Sequence, residues 1–220
     1  MIWNSKIFEG LQTGVEIIKK KLKLKKANKG SASAKVEAYK WKPACHSGDN
    51  LVFKVGKLSV FAGGWSRGGD GSGMDLIIDL AKDREPTVKI VGQLKGFDNT
   101  LAADDFIPMM VINWRDFGIP NLSKKFWDEI VKSLKNASKD KEFKVLICCQ
   151  GGHGRTGTML SILAHYFNVN GDINPVSFIR DVYCKETVEN SAQIKYIEQM
   201  CDITIPVSIN GAKGVYLWDK

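Results

Sequence analysis

The sequence predicts an α/β fold in which a central, mostly parallel sheet is flanked by helices, with a basic helix at the N-terminus. Three observations lead there. The runs Met74 to Leu80, Ile107 to Ile112 and Phe143 to Cys148 are largely apolar rather than strictly alternating, the pattern of strands covered on both faces. Stretches with helical spacing follow, at Leu122 to Ala137 and Met159 to Phe167. The last apolar run passes into its helix through a glycine-rich turn.

Taken in order, the chain opens on an arm over residues 1–35 in which Phe8, Leu11, Val15, Ile18 and Leu22 recur three and four apart, on one helical face. The arm holds nine lysines against Glu9 and Glu16, a net +7 of the chain's +8. The small polar stretch Ala27 to Ala34 reads as a helix stop or linker. Leu51 to Val55 and Leu58 to Ala62 read as a hairpin turning at Gly56-Lys57. Gly63 to Gly73, with six glycines in eleven residues, reads as a mobile loop in which Trp65 and Arg67 are candidate substrate contacts. In Leu122 to Ala137, Phe126, Ile130 and Leu134 share a face. Asn174-Pro175, a capping residue followed by proline, starts a helix over Val176 to Cys184. The domain is expected over 36–205, with a tail over 206–220.

The chemistry concentrates in Cys149-Gln150-Gly151-Gly152-His153-Gly154-Arg155-Thr156-Gly157. A tight glycine loop and the open N–H groups of the following helix favour an oxyanion such as phosphate. Arg155 adds a planar fork able to hold two phosphate oxygens. The same positive surroundings favour thiolate over thiol at Cys149. A phosphate binder and a nucleophile coincide.

This segment resembles the signature loop of the protein tyrosine phosphatase superfamily, and Gly152 to Gly157 is similar to the loop of its dual-specificity and inositol-phospholipid members. The resemblance implies a phosphatase-like fold. It makes Cys149 the nucleophile, Arg155 the phosphate-binding arginine, and Thr156 the hydroxyl that assists the thiolate. Gln150, Gly151, Gly152, His153 and Gly154 become the phosphate-binding loop. Upstream, Asn113-Trp114-Arg115-Asp116-Phe117-Gly118-Ile119-Pro120 resembles the family's acid loop and carries its general acid onto Asp116; ester cleavage needs a proton on the departing oxygen. Val188 to Ile197 resembles the segment that supplies a water-orienting glutamine, here Gln193, although Gln193 reads equally as a solvated residue of a helix whose buried face is Ile194, Ile197 and Cys201. Two positions depart from the family pattern. Cys148 stands where a histidine is usual, offering a second thiol beside the nucleophile, and Arg115 stands where proline is usual, freeing a backbone torsion.

Composition and charge narrow the classes. A chain of 220 residues, 44% hydrophobic, can bury a core. No apolar run is long enough to cross a bilayer, and the N-terminus does not read as a secretory leader. Five cysteines (Cys45, Cys148, Cys149, Cys184, Cys201) at irregular spacing argue for a reducing compartment and a cytoplasmic location. No pair with metal-ligand spacing is present, since Cys45-His46 stands alone, so neither metal nor other cofactor is expected. The arm packs its stripe on the domain, or meets an acidic membrane surface or nucleic acid. The expected substrate is a phosphorylated protein, phosphotyrosine first with dual specificity open. Ala38 to Pro43 lacks a phosphotyrosine-recognition pattern, and Gln150 and His153 stand where inositol-phospholipid members carry lysines. A phosphoinositide or RNA 5′-phosphatase, a non-hydrolysing phospho-recognition module and a Cys148-Cys149 redox pair are the alternatives.

Overall fold

In the computed structural model the described residues are 37–38, 46–81, 89–94 and 106–206. The expected basic helix over 1–35, the segment 39–43, Cys45 and nearly all of the expected tail lie outside them.

Seven strands form one sheet: β1 (Glu37–Ala38), β2 (Asn50–Val55), β3 (Leu58–Gly64), β4 (Leu76–Asp79), β5 (Lys89–Leu94), β6 (Phe106–Val111) and β7 (Phe143–Cys149), in the order β1-β2-β3-β7-β4-β6-β5. The pairs β3/β7, β7/β4 and β4/β6 are parallel, which gives the parallel centre the apolar runs predict. The edges are antiparallel: β1 and β2 extend one side through the Gly56-Lys57 turn, and β5 closes the other. Among the described residues there are four α-helices: α1 (Lys124–Ala137) between β6 and β7, then α2 (Gly154–Tyr166), α3 (Pro175–Val182) and α4 (Ser191–Cys201) after β7.

Strand alternation divides the core. Along β7, Phe143, Val145, Ile147 and Cys149 join the large cluster, while Leu146 and Cys148 join a smaller one with Met74, Ile77, Ile107, Met109 and Val111. The apolar residues of all four helices enter the large cluster, so the described helices pack on the face of the sheet that carries Cys149. Helix α2 is buried from Gly154 through Ala164, because α3, α4 and the sheet surround it. A helix with no wet face holds its first turn rigidly.

One sequence expectation is corrected. Gly63 and Gly64 are not loop residues but the end of β3, paired with Cys148 and Cys149; the regular structure ends only after the short turn Trp65–Arg67. A β-carbon on Gly64 would sit 2.7 Å from the carbonyl carbon of Gly151, so glycine there is what lets β3 lie against the glycine loop after β7. Strand β5, Lys89-Ile90-Val91-Gly92-Gln93-Leu94, is not among the strands expected from the sequence, where the glycine interrupts a short run. It forms because β6 presents an open edge for it to pair with.

Candidate active site

The loop after β7 is shaped by what its carbonyls do. The Gln150 carbonyl accepts the Ser66 amide at 3.0 Å and the Ser66 hydroxyl at 2.7 Å. The Gly152 carbonyl accepts the Tyr183 hydroxyl at 3.0 Å. In a trans peptide the carbonyl and the next amide point in opposite directions, so pinning these two oxygens to the surroundings turns the Gly151 and His153 amides the other way. Gly152 itself has φ +77, the left-handed region that reverses the chain. Its amide donates to Cys149 Sγ at 3.2 Å. The sulfur therefore lies inside the loop and is 3% exposed at residue level.

Arg155, in the first turn of α2, is buried and fixed from one side. Its Nη1 donates to the Trp114 carbonyl at 3.0 Å and to the Leu80 carbonyl at 3.2 Å. Its Nη2 meets Asp116 Oδ1 at 2.9 Å, an ion pair whose carboxylate side is half exposed. The expected general acid and the expected phosphate-binding arginine are thus in contact. The acid loop owes its place to Trp114, which is fully buried and donates from Nε1 to the Gly118 carbonyl at 2.8 Å, while Gly118 N closes a turn on the Arg115 carbonyl. Asn190 Nδ2 donates to the Phe117 carbonyl at 2.9 Å and ties this loop to the start of α4. Arg115 is exposed.

The supporting residues fare unevenly. Thr156 Oγ1 is buried and has no hydrogen-bond partner among the described residues, so the expected assistance to Cys149 is not a hydrogen bond here. Gln193 is fully buried, which removes its reading as a solvated helix residue. Its Oε1 accepts the Glu189 amide at 2.7 Å, and its Nε2 turns toward Gly154. Glu189, which the sequence reading passed over, closes over the same glycine. Burial raises its carboxyl above the usual glutamate range, and the nearby Asp116 charge adds to this. No local pattern marks Glu189, because it comes to the loop only through the turn before α4.

Two other expectations are settled by orientation. Cys148 Sγ faces the opposite side of the sheet from Cys149 and donates to the Ile78 carbonyl at 3.7 Å, so the adjacent thiols are not a facing pair. Burial raises the Cys148 thiol well above its ordinary range, and Asp79 reinforces this. Trp65 donates to Asp79 Oδ1 at 3.1 Å and packs on that same far cluster, away from the anion loop.

The fold also gathers residues that sequence spacing keeps apart. His46 packs against the His153 ring at 4.9 Å and the Tyr183 ring at 4.6 Å between centroids, under the glycine loop. Burial, followed by the charge of His153, pushes its imidazole down to about 4. Cys184 lies beside both histidines.

Residues 107–204 match the family described as Swiss Army Knife protein, DSP-PTPase phosphatase domain. This segment is similar to the cysteine-dependent tyrosine and dual-specificity phosphatases. The segment runs from β6 through α4 and so contains Asp116, Cys149, Arg155 and Gln193. Two uncharacterized proteins of Methanocaldococcus jannaschii are 39% and 38% identical to the chain over 92 residues, 41% of its length. The chain spans about half the length of these relatives, 54% and 58%. Among solved structures, Tk-PTP in its active form aligns with TM-score 0.44 at 17% identity, covering 66% of this chain and 91% of that one. The Trypanosoma brucei protein tyrosine phosphatase TbPTP1 aligns with TM-score 0.40 at 17% identity, covering 64% and 62%. The matched segment excludes β1 to β5, yet β3 and β4 flank β7, which carries Cys149, and complete the sheet around it.

Proposed function

We propose that the chain hydrolyses phosphate monoesters through a phosphocysteine intermediate, with phosphotyrosine in proteins as the favoured substrate and dual specificity within reach. One observation carries the reading: Cys149 Sγ sits within the loop whose Gly152 amide it accepts, and the buried Arg155 of that loop reaches Asp116. Nucleophile, anion fork and proton donor then surround one phosphoryl group.

Two displacements follow. The Cys149 thiolate attacks phosphorus, the P–O bond to the leaving group breaks, and the loop amides and Arg155 hold the equatorial oxygens. Binding moves Asp116 off Arg155, since phosphoryl oxygens take its place on Nη2; the released carboxylate takes up a proton from solvent and passes it to the departing oxygen. Water then attacks the phosphocysteine. Asp116 takes its proton, Gln193 orients it from the Gly154 side, and free phosphate leaves.

An aryl ester is favoured by the acid loop itself. Phe117 and Ile119 flank Asp116 with 63% and 46% of their surface exposed, apolar area that suits an aromatic leaving group better than a sugar or an inositol ring. A non-hydrolysing recognition module needs no acid on the arginine, so the Asp116 contact speaks against it. Turnover on phosphotyrosine, phosphoserine and phosphothreonine peptides, phosphoinositides and RNA 5′-ends tests the proposal. The expected order puts phosphotyrosine first, and Cys149→Ser is expected to abolish turnover while keeping vanadate binding. Activity retained in Cys149→Ser defeats the mechanism, and preference for a lipid or RNA end defeats the substrate assignment.

A further inference from the structure

Three side chains that the proposed reaction does not use converge beside the phosphate loop. His46 precedes β2, His153 is the loop residue at the N-cap of α2, and Cys184 follows α3. Their donor atoms, one ring nitrogen from each histidine and the cysteine Sγ, all lie within 4.8 Å of one another. A second observation is independent of that clustering. His46 is 2% exposed, yet neither of its ring nitrogens makes a well-formed hydrogen bond among the described residues, the Gly151 backbone being a weak contact only. Buried polar atoms are nearly always satisfied, so an imidazole enclosed this way invites a ligand.

We propose that His46, His153 and Cys184 bind a divalent transition-metal ion of the zinc type. Two imidazoles and a thiolate are a borderline-soft donor set that suits Zn²⁺ and does not suit Mg²⁺ or Ca²⁺. Zinc bond lengths in tetrahedral geometry separate such donors by about 3.3–3.6 Å. The observed spread of up to 4.8 Å therefore closes by about 1.5 Å at most, within the reach of side-chain rotation. A water molecule takes the fourth position. Binding releases the Cys184 thiol proton to solvent and joins the S–M bond in its place.

The site would tie three parts of the chain together: the residue leading into β2, the loop around Cys149, and the turn after α3. Tyr183 links it to the anion cup, since its ring lies on His46 and its hydroxyl holds the Gly152 carbonyl. The ion thus fixes the backbone that cradles phosphate without touching phosphate.

The test uses the full chain carrying Cys149→Ser, so that the loop thiol does not compete for metal. Zn²⁺ is titrated against a chromophoric chelator, and Co²⁺ is added in parallel for its absorption spectrum. The expected result is one tightly held ion per chain and a thiolate-to-cobalt charge-transfer band. His46→Ala and Cys184→Ala are each expected to weaken binding by more than about tenfold, the least that even outer partners of a metal site contribute, and Cys184→Ala to remove the band. Should an alanine variant fail to fold by circular dichroism, His46→Gln and Cys184→Ser carry the same expectations. No tight ion, no charge-transfer band, or a band that survives loss of Cys184 overturns the proposal. None of these readouts involves phosphate hydrolysis, so the outcome is separate from that of the proposed function.

Discussion

Replacing Gly152 by alanine strikes the loop at the point where its conformation and its packing are both tightest. At φ +77 a β-carbon costs about 1–2 kcal/mol. The added methyl would also stand 2.8 Å from the Gly63 carbonyl oxygen and 3.0 Å from its carbon, and would press on the His46 ring. Gly63 cannot retreat cheaply, because β3 is paired there with Cys148 of β7. Overpacking of this kind costs about 1–3 kcal/mol more. The sum, about 2–5 kcal/mol, is a large part of the roughly 5–15 kcal/mol that holds a domain together. If the loop shifts to relieve the clash, the Gly152 amide leaves Cys149 Sγ and turnover falls as well. Gly151→Ala is the control, since its methyl would find only His153 Nδ1, at an ordinary 3.9 Å. Urea unfolding and aryl phosphate turnover are measured on both variants. A Gly152→Ala protein within about 0.5 kcal/mol of Gly151→Ala, the spread of an ordinary surface change, and equally active, would refute the loop geometry described above.

Asp116→Asn is expected to lower turnover by about 10²–10⁴ on esters with poor leaving groups and by little on a dinitrophenyl phosphate, whose oxygen needs no proton; an equal loss on both would remove Asp116 from the acid role. Glu189→Gln reports on pH through the raised carboxyl. Its folded form holds the proton to higher pH than its unfolded form, so wild-type stability from this group is present at low pH and lost as pH rises through the folded value. The glutamine variant is therefore expected to gain on wild type in urea unfolding at pH 7 and to show no gain near pH 4, and a constant or reversed gap would contradict the assigned shift. Cys148→Ala is expected to cost about 1 kcal/mol as a buried substitution and to leave turnover near wild type, because its sulfur faces away from the loop. A large fall in turnover would restore a redox or catalytic role for it.

The strands and helices that carry the site could be read locally. The buried run before Cys149, the hairpin at Gly56-Lys57 and the Asn174 cap, whose Oδ1 accepts the Val176 amide at 2.9 Å, each announce themselves within a few residues. The two motifs that single out Asp116 and Arg155 could be read too, and the fold brings these residues to 2.9 Å. What could not be read depends on distant partners. Gly63 and Gly64 looked like loop because composition says nothing of the β7 strand that pairs with them. Gln193 stood between two readings until the packing of α4 on α2 buried it, and Glu189 had no periodicity to mark it. His46, His153 and Cys184 share no spacing at all, and they meet only because the residue before β2, the glycine loop and the end of α3 fold to the same corner.

The claim on which the rest depends is that Cys149 takes the phosphoryl group. Acid quenching during steady turnover of a radiolabelled phosphotyrosine peptide, followed by mapping of the labelled fragment, addresses it directly. The account predicts phosphate on the sulfur of Cys149 and none in Cys149→Ser. Turnover without label on Cys149, or label that persists in the serine variant, would contradict it.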